Sequence, residues 1–153
     1  MSEELNKETA IVTGSYGDIG DSIARKLLSN NISVALMGRD IEKLKKQKSE
    51  LSKEFSAEVI ISEVDMRDSQ NIEQSINQIV SSFGRVDFLI NNAGMTRDNI
   101  IFRISENDWN DVIDTNLKGT FLCCKHVSKH MIKQKSGVIV NISSVVAKTG
   151  NKG

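Results

Sequence analysis

Short runs of consecutive apolar residues alternate along the chain with segments in which apolar residues recur every three or four positions. That alternation predicts βαβ units wound into a parallel sheet. Thr9 to Thr13 predicts a short buried strand, and Ile19, Ile23, Leu27 and Leu28 then share one helical face. Ile32 to Met37 predicts a second strand, after which Asp40 has the chemistry of an N-cap. The helix it would open carries a looser stripe of Ile41, Leu44, Leu51 and Phe55, and its many Lys and Glu residues form a solvated face. Val59 to Ile61 predicts a third strand, and Ile72, Ile76, Ile79, Val80 and Phe83 repeat at helical spacing until Gly84 ends the element. Val86 to Ile90 predicts a fourth strand. A long amphipathic helix is expected from about Glu106 to Lys133, with Trp109, Val112, Ile113, Leu117, Phe121, Cys124, Val127, Met131 and Ile132 on or near one face. Val138 to Ile142 predicts the fifth strand.

The chain has 153 residues, 39% of them hydrophobic, with no internal repeat and no linker composition, so one domain spanning 1–153 is expected. Twenty basic residues balance twenty acidic ones. A nucleic-acid partner therefore has no electrostatic support, and a small-molecule ligand is favoured. Cys123 and Cys124 are adjacent, a spacing that suits neither an ordinary disulfide nor a zinc site, and they read as reduced core thiols in a reducing compartment. The acidic N-terminus has no signal-like apolar run, and no segment approaches the roughly 20 apolar residues of a membrane span. A soluble cytoplasmic protein is the expectation. His126 and His130 lie one helical turn apart without a third ligand, so surface histidines are expected and no metal site.

Thr13-Gly14-Ser15-Tyr16-Gly17-Asp18-Ile19-Gly20 follows the first strand and opens the first helix. Small residues there let the backbone approach a pyrophosphate, whose charge the helix N-terminus meets. Gly14, Ser15, Tyr16, Gly17, Asp18, Ile19 and Gly20 are accordingly candidate cofactor-binding residues. Asp18 would repel a phosphate unless it caps the helix instead. After the second strand, Gly38 stands where an acid would receive a ribose 2′-hydroxyl, and Arg39 follows it. Arg39 has the geometry to pair with a 2′-phosphate, which points to NADP(H); a solvated loop arginine, or one held by Asp40, is the other reading.

Asn91-Asn92-Ala93-Gly94 ends the fourth strand, Asp114-Thr115-Asn116-Leu117 lies within the long helix, and Asn141-Ile142-Ser143-Ser144 ends the fifth strand. With the glycine turn, these motifs resemble the short-chain dehydrogenase/reductase family over nearly the whole chain. The family's fold is an α/β, Rossmann-type doubly wound parallel sheet, here expected to be incomplete at its C-terminal side. The turn differs from the family's usual T-G-x-x-x-G-x-G: its middle glycine, Gly17, sits one residue early, as in the extended branch.

The resemblance implies that Asp65 and Met66 hold the adenine ring and that Asn92, Ala93 and Gly94 line the ribose and nicotinamide side. It further implies catalytic roles for Asn116, through a helix distortion that holds a water in a proton relay, and for Ser144, which orients the substrate carbonyl. Asparagine is a poor interior helix residue, so Asn116 asks for some such reason. The family's tyrosine and lysine, in a Y-x-x-x-K motif a short way beyond the serine, have no counterpart: Tyr16 is the only tyrosine. The chain is therefore expected to be a fragment cut before that motif.

Within the family the chain looks most like 3-oxoacyl-acyl-carrier-protein reductases of fatty acid biosynthesis. The implied activity is NADPH-dependent reduction of a 3-keto acyl thioester, its carrier either acyl carrier protein or coenzyme A, by an enzyme that is homo-oligomeric when full length and inactive as this fragment. Lys133 and Lys135 fall where carrier-dependent members carry basic residues, and solvated helix-end lysines explain them equally well. Two alternatives stand beside it: a catalytically dead nucleotide-binding or partner-binding remnant, and an acetoacetyl-CoA or general carbonyl reductase.

Overall fold

The structure, a computed structural model, describes residues 7–151. Among the described residues, five strands form one parallel sheet in the order β3-β2-β1-β4-β5. The strands are β1 (Thr9–Thr13), β2 (Ser33–Gly38), β3 (Val59–Glu63), β4 (Phe88–Asn91) and β5 (Val138–Asn141). Helices α1 (Asp18–Ser29), α2 (Ile41–Glu54) and α3 (Ser69–Phe83) join the first four strands. A short 3₁₀ turn (Ile101–Arg103), α4 (Glu106–Ile113), a π-helical turn (Asp114–Lys118) and α5 (Gly119–Gln134) lie between β4 and β5, and a one-turn helix α6 (Val146–Thr149) follows. This is the doubly wound α/β arrangement expected from the sequence.

Local chemistry explains the element ends. Asp40 caps α2 by accepting from the N–H groups of Glu42 and Lys43, as its position suggested. Asp68 caps α3 in the same way, and Gly84 ends that helix in the left-handed conformation at φ 77°. Ser105 and Asp108 form a reciprocal capping box on α4.

Along β1 successive side chains point to opposite faces of the sheet, and both faces are covered. Ala10 and Val12 join Val34, Leu36, Leu44 and Leu51 under α1 and α2. Ile11 joins Met37, Leu89, Ile72, Ile76 and Val127 under α3 and α5. The chain moves outward from β1 through β2 to β3, then returns to place β4 on the other side of β1. That reversal opens a crevice at the carboxyl ends of β1 and β4, the place where ligands bind in doubly wound sheets.

The single long helix expected over Glu106 to Lys133 is two helices joined by the π-turn. A wide turn adds a residue and rotates whatever follows, so the continuous apolar stripe does not survive. Leu122, Cys123, Val127 and Met131 bury, whereas Trp109, Leu117, Phe121 and Ile132 are exposed. Cys123 rather than Cys124 is the deeper thiol; both are free, and burial pushes Cys123 up to about 12. His126 departs from the surface position expected for it. It is 5% exposed between α3 and α5, its Nδ1 3.3 Å from Glu73 Oε1, while His130 stays on the surface opposite Asn77.

Candidate functional site

The glycine turn after β1 is shaped by close backbone approach. Gly14 has φ +62°, and a Cβ there would lie 2.8 Å from Ala93 Cα. A Cβ on Gly20 would lie 2.4 Å from the carbonyl oxygen of Gly14 and 2.9 Å from Asn92 Nδ2. Both positions are therefore fixed by packing. Gly17 differs, because its nearest neighbour would be Gly14 O at an ordinary 3.6 Å. What its missing side chain leaves open is the approach to the N-terminus of α1.

That N-terminus is bare. No side chain caps α1, and Asp18, one residue inside the helix, does not turn back to do so. The first-turn N–H groups thus border the crevice without a capping side-chain acceptor and can receive an anion there, although Asp18 and Asp21 place acidic charge in the same turn. Asp18 itself is exposed and borders the crevice.

Asn92 and Ala93 lock this turn to the end of β4. Thr13 Oγ1 accepts from the N–H groups of Asn92 (3.0 Å) and Ala93 (2.9 Å), and Asn92 Nδ2 donates to the carbonyls of Thr13 and Gly14. Asn91 reaches the other way, donating to Asn141 Oδ1 on β5 at 2.8 Å.

The result is a cleft of about 420 Å³. Gly14, Tyr16, Gly17, Asp18 and Ile19 form one wall, Asn92, Ala93, Gly94 and Met95 another, and Gly38, Arg39, Val64, Met66 and Thr115 close it. Most of the residues expected from the sequence to bind a cofactor therefore meet here. Ser15 does not. Its buried side chain turns under α2, where Oγ donates to Gln47 Oε1 at 3.0 Å and its carbonyl accepts from Gln47 Nε2 at 2.7 Å. Gly20 sits behind the turn as a spacer.

Asp65 stands beside Met66 but is engaged by Arg67, whose guanidinium approaches its carboxylate to 2.7 Å and holds its pKa below the usual range. Arg67 also reaches Asp111 of α4 at 2.9 Å, so the turn after β3 is tied to the helical side of the cleft. Asp40 is occupied capping α2 and lies 3.7 Å from Lys43, which leaves Arg39 at the rim.

Asn116 lies in the π-turn and is exposed, yet both ends of its amide are used: Oδ1 accepts from Met95 N and Nδ2 donates to Met95 O, each at 2.9 Å. It thereby fixes the segment after Gly94 at the cleft mouth. Ser144 follows β5 at the same carboxyl edge of the sheet, exposed, with Oγ 3.4 Å from Val146 N. It is not among the residues that line the cleft.

Val64, Met95 and Thr115 were missed as lining residues. Each adjoins a residue singled out from the sequence, and the usable signal was the position just past a strand end or inside the disturbed helix turn. Among the described residues no cluster of three metal-ligating side chains occurs, and no helix is long and apolar enough to cross a membrane.

A family model described as short chain dehydrogenase matches residues 8–153. The chain is 39% identical over 146 residues to a Staphylococcus aureus 3-oxoacyl-acyl-carrier-protein reductase, covering 95% of this chain and 59% of that one. It is 38% identical over its full length to the reductase of the same name from Aquifex aeolicus, of which it covers 62%. The chain thus spans about three fifths of the length of these relatives. Among solved structures, an actinorhodin polyketide ketoreductase with NADPH superposes with a TM-score of 0.92 at 35% identity, covering 96% of this chain and 57% of that one. A metagenomic short-chain oxidoreductase in complex with NADP superposes at 0.90 with 33% identity, covering 97% and 67%.

Proposed function

We propose, on the premise that this chain belongs to the short-chain dehydrogenase family, that its cleft holds NADPH in the service of an oxidoreductase acting on 3-oxoacyl thioesters. The observation that carries this reading is the uncapped N-terminus of α1 facing a cleft across Gly17. The relatives' names and the nucleotides bound to the two solved structures support it.

In this reading Gly14, Gly17 and the first turn of α1 receive the pyrophosphate, and Arg39 receives the 2′-phosphate. Met66 and Asp65 flank the adenine, and Asn92 to Gly94 line the ribose and nicotinamide side. Bound NADPH would supply a hydride for the keto carbon. Ser144 would donate a hydrogen bond to the keto oxygen, and the π-turn at Asn116 would hold a water for proton relay. The proton donor is not in this sequence, whose only tyrosine, Tyr16, lies at the adenosine end. These 153 residues by themselves are accordingly predicted to bind nucleotide and to turn over at background. We read the chain as one domain of a cytoplasmic enzyme that works as a homo-oligomer and reduces an acyl group while it stays attached to acyl carrier protein.

The test pairs equilibrium dialysis against NADPH with an assay of NADPH oxidation in which acetoacetyl-CoA is the hydride acceptor. Saturable binding without turnover is expected. Failure to bind would contradict the cleft assignment, and turnover at an ordinary enzyme rate would contradict the missing proton donor.

A further inference from the structure

Tyr16 occupies a place that no part of the reading above uses. Its ring packs against the end of β2: a Cβ built on Gly38 would stand 2.3 Å from Tyr16 Cε1 and 3.0 Å from Cδ1. Its hydroxyl accepts a hydrogen bond from Arg39 N at 3.2 Å. Lys43 Nζ sits 5.4 Å from the ring centroid, within cation–π range. The ring borders both the nucleotide cleft and a neighbouring hollow that contains Lys43.

Position 38 is where nucleotide enzymes selective for the unphosphorylated cofactor place a carboxylate toward the ribose 2′-hydroxyl. Here the space that such a side chain needs is filled by the Tyr16 ring, and Gly38 itself is buried. A side chain at position 38 therefore requires the Tyr16 ring to move. Arg39 and Asp18 both border the cleft, Asp65 lies close enough to Arg39 to feel its charge, and Lys43 shares the neighbouring hollow with Asp18, Asp21, Lys46 and Glu50. Asp65 is bound up with Arg67, and Asp40 lies 3.7 Å from Lys43.

We infer that Tyr16 determines cofactor selectivity: its ring bars an acid from position 38, its hydroxyl sets the Arg39 backbone, and its face presents Lys43 as a second cation for the 2′-phosphate. This rests on the NADPH reading and adds to it a sterically coupled pair, Tyr16 with Gly38, and a residue outside the cleft lining, Lys43.

Calorimetric titration of the chain with NADPH and with NADH tests it. Lys43 is surface-exposed, so Lys43→Met leaves the fold intact. It is expected to weaken NADPH about tenfold and NADH less than about twofold. Gly38→Asp alone is expected to leave NADH no tighter than NADPH, because the ring stands in its way. Combined with Tyr16→Ala, the same substitution is expected to reverse the preference toward NADH. Equal effects of Lys43→Met on both nucleotides, or none, would overturn the inference. So would a Gly38→Asp variant that folds normally and prefers NADH with Tyr16 still present. If Gly38→Asp fails to fold, Lys43→Met still decides. A wild-type chain that binds neither nucleotide would overturn the NADPH reading itself; one that binds NADPH with selectivity indifferent to these substitutions would overturn this inference alone.

Discussion

β1 and β5 belong to the same parallel sheet and stand only one strand apart, yet their surroundings are opposite. Every residue of β1 is buried, with helices over both faces and paired strands on both edges. Among the described residues β5 pairs only with β4, and it leaves Val138 50% exposed and Val140 40% exposed, followed by Ile142 at 41%. The turn proposed to receive the nucleotide follows β1, and Ser144, proposed to orient the substrate, follows β5. The difference teaches that binding geometry here is held by a closed core, while the position proposed for Ser144 depends on an open sheet edge. Apolar residues on such an edge are a surface that asks to be covered.

The comparison can be broken most forcefully in the core. Leu36→Ala on β2 is expected to cost about 2–5 kcal/mol, since Leu36 is wholly buried between the sheet and α2, whereas Val140→Ala on β5 should cost less than about 1 kcal/mol. Urea unfolding of both variants checks this, and similar costs would mean that the edge is not open in solution.

A smaller effect separates packing from binding within the turn itself. Gly14→Ala combines a left-handed φ with a 2.8 Å contact to Ala93, and roughly 2–3 kcal/mol of stability should be lost together with nucleotide binding. Gly17→Ala meets nothing closer than 3.6 Å, so stability should hold within about 0.5 kcal/mol while NADPH affinity falls. Unfolding and titration of the same two proteins would distinguish the roles.

The smallest effect concerns pH. Burial lowers the pKa of His126 below its ordinary value, opposed by Glu73 on α3 and aided by Lys129 and Lys125 on α5. The unfolded chain therefore takes up a proton at a pH where the folded chain resists it, and this contribution to stability is present near neutrality and fades as the pH falls. His126→Asn should flatten the decline in the urea midpoint between about pH 7 and pH 5, where the ordinary histidine value lies. An unchanged slope would place the titrating group elsewhere.

Much of this was legible in the residues. The β-branched run from Thr9 to Thr13, the cap at Asp40 and the stop at Gly84 all act through local chemistry, so strands and helices fall where the pattern puts them, within a residue or two. Periodicity alone did not divide the long helix, although the resemblance implied a distortion at Asn116, where the π-turn lies. A π-turn depends on tertiary contacts, here Asn116 on the Met95 backbone and Gly119 packed so closely on Met66 that a Cβ would come within 2.7 Å of its carbonyl. Such contacts leave no periodic signal. His126 shares the buried face of α5 with Leu122, Cys123 and Val127, and the absence of a third metal ligand, on which its surface position was expected, says nothing of that face. Tyr16 was visible as a member of the glycine turn, but its stacking on Gly38 joins residues on two different βα units and needs the sheet to bring them together.

Hydrogen–deuterium exchange with and without saturating NADPH tests most directly the claim that nucleotide binding belongs to the closed half of the molecule. The account predicts slowed exchange across residues 14–20 and 92–95, with little change across residues 138–142. Protection centred on β5, or none at the glycine turn, would contradict it.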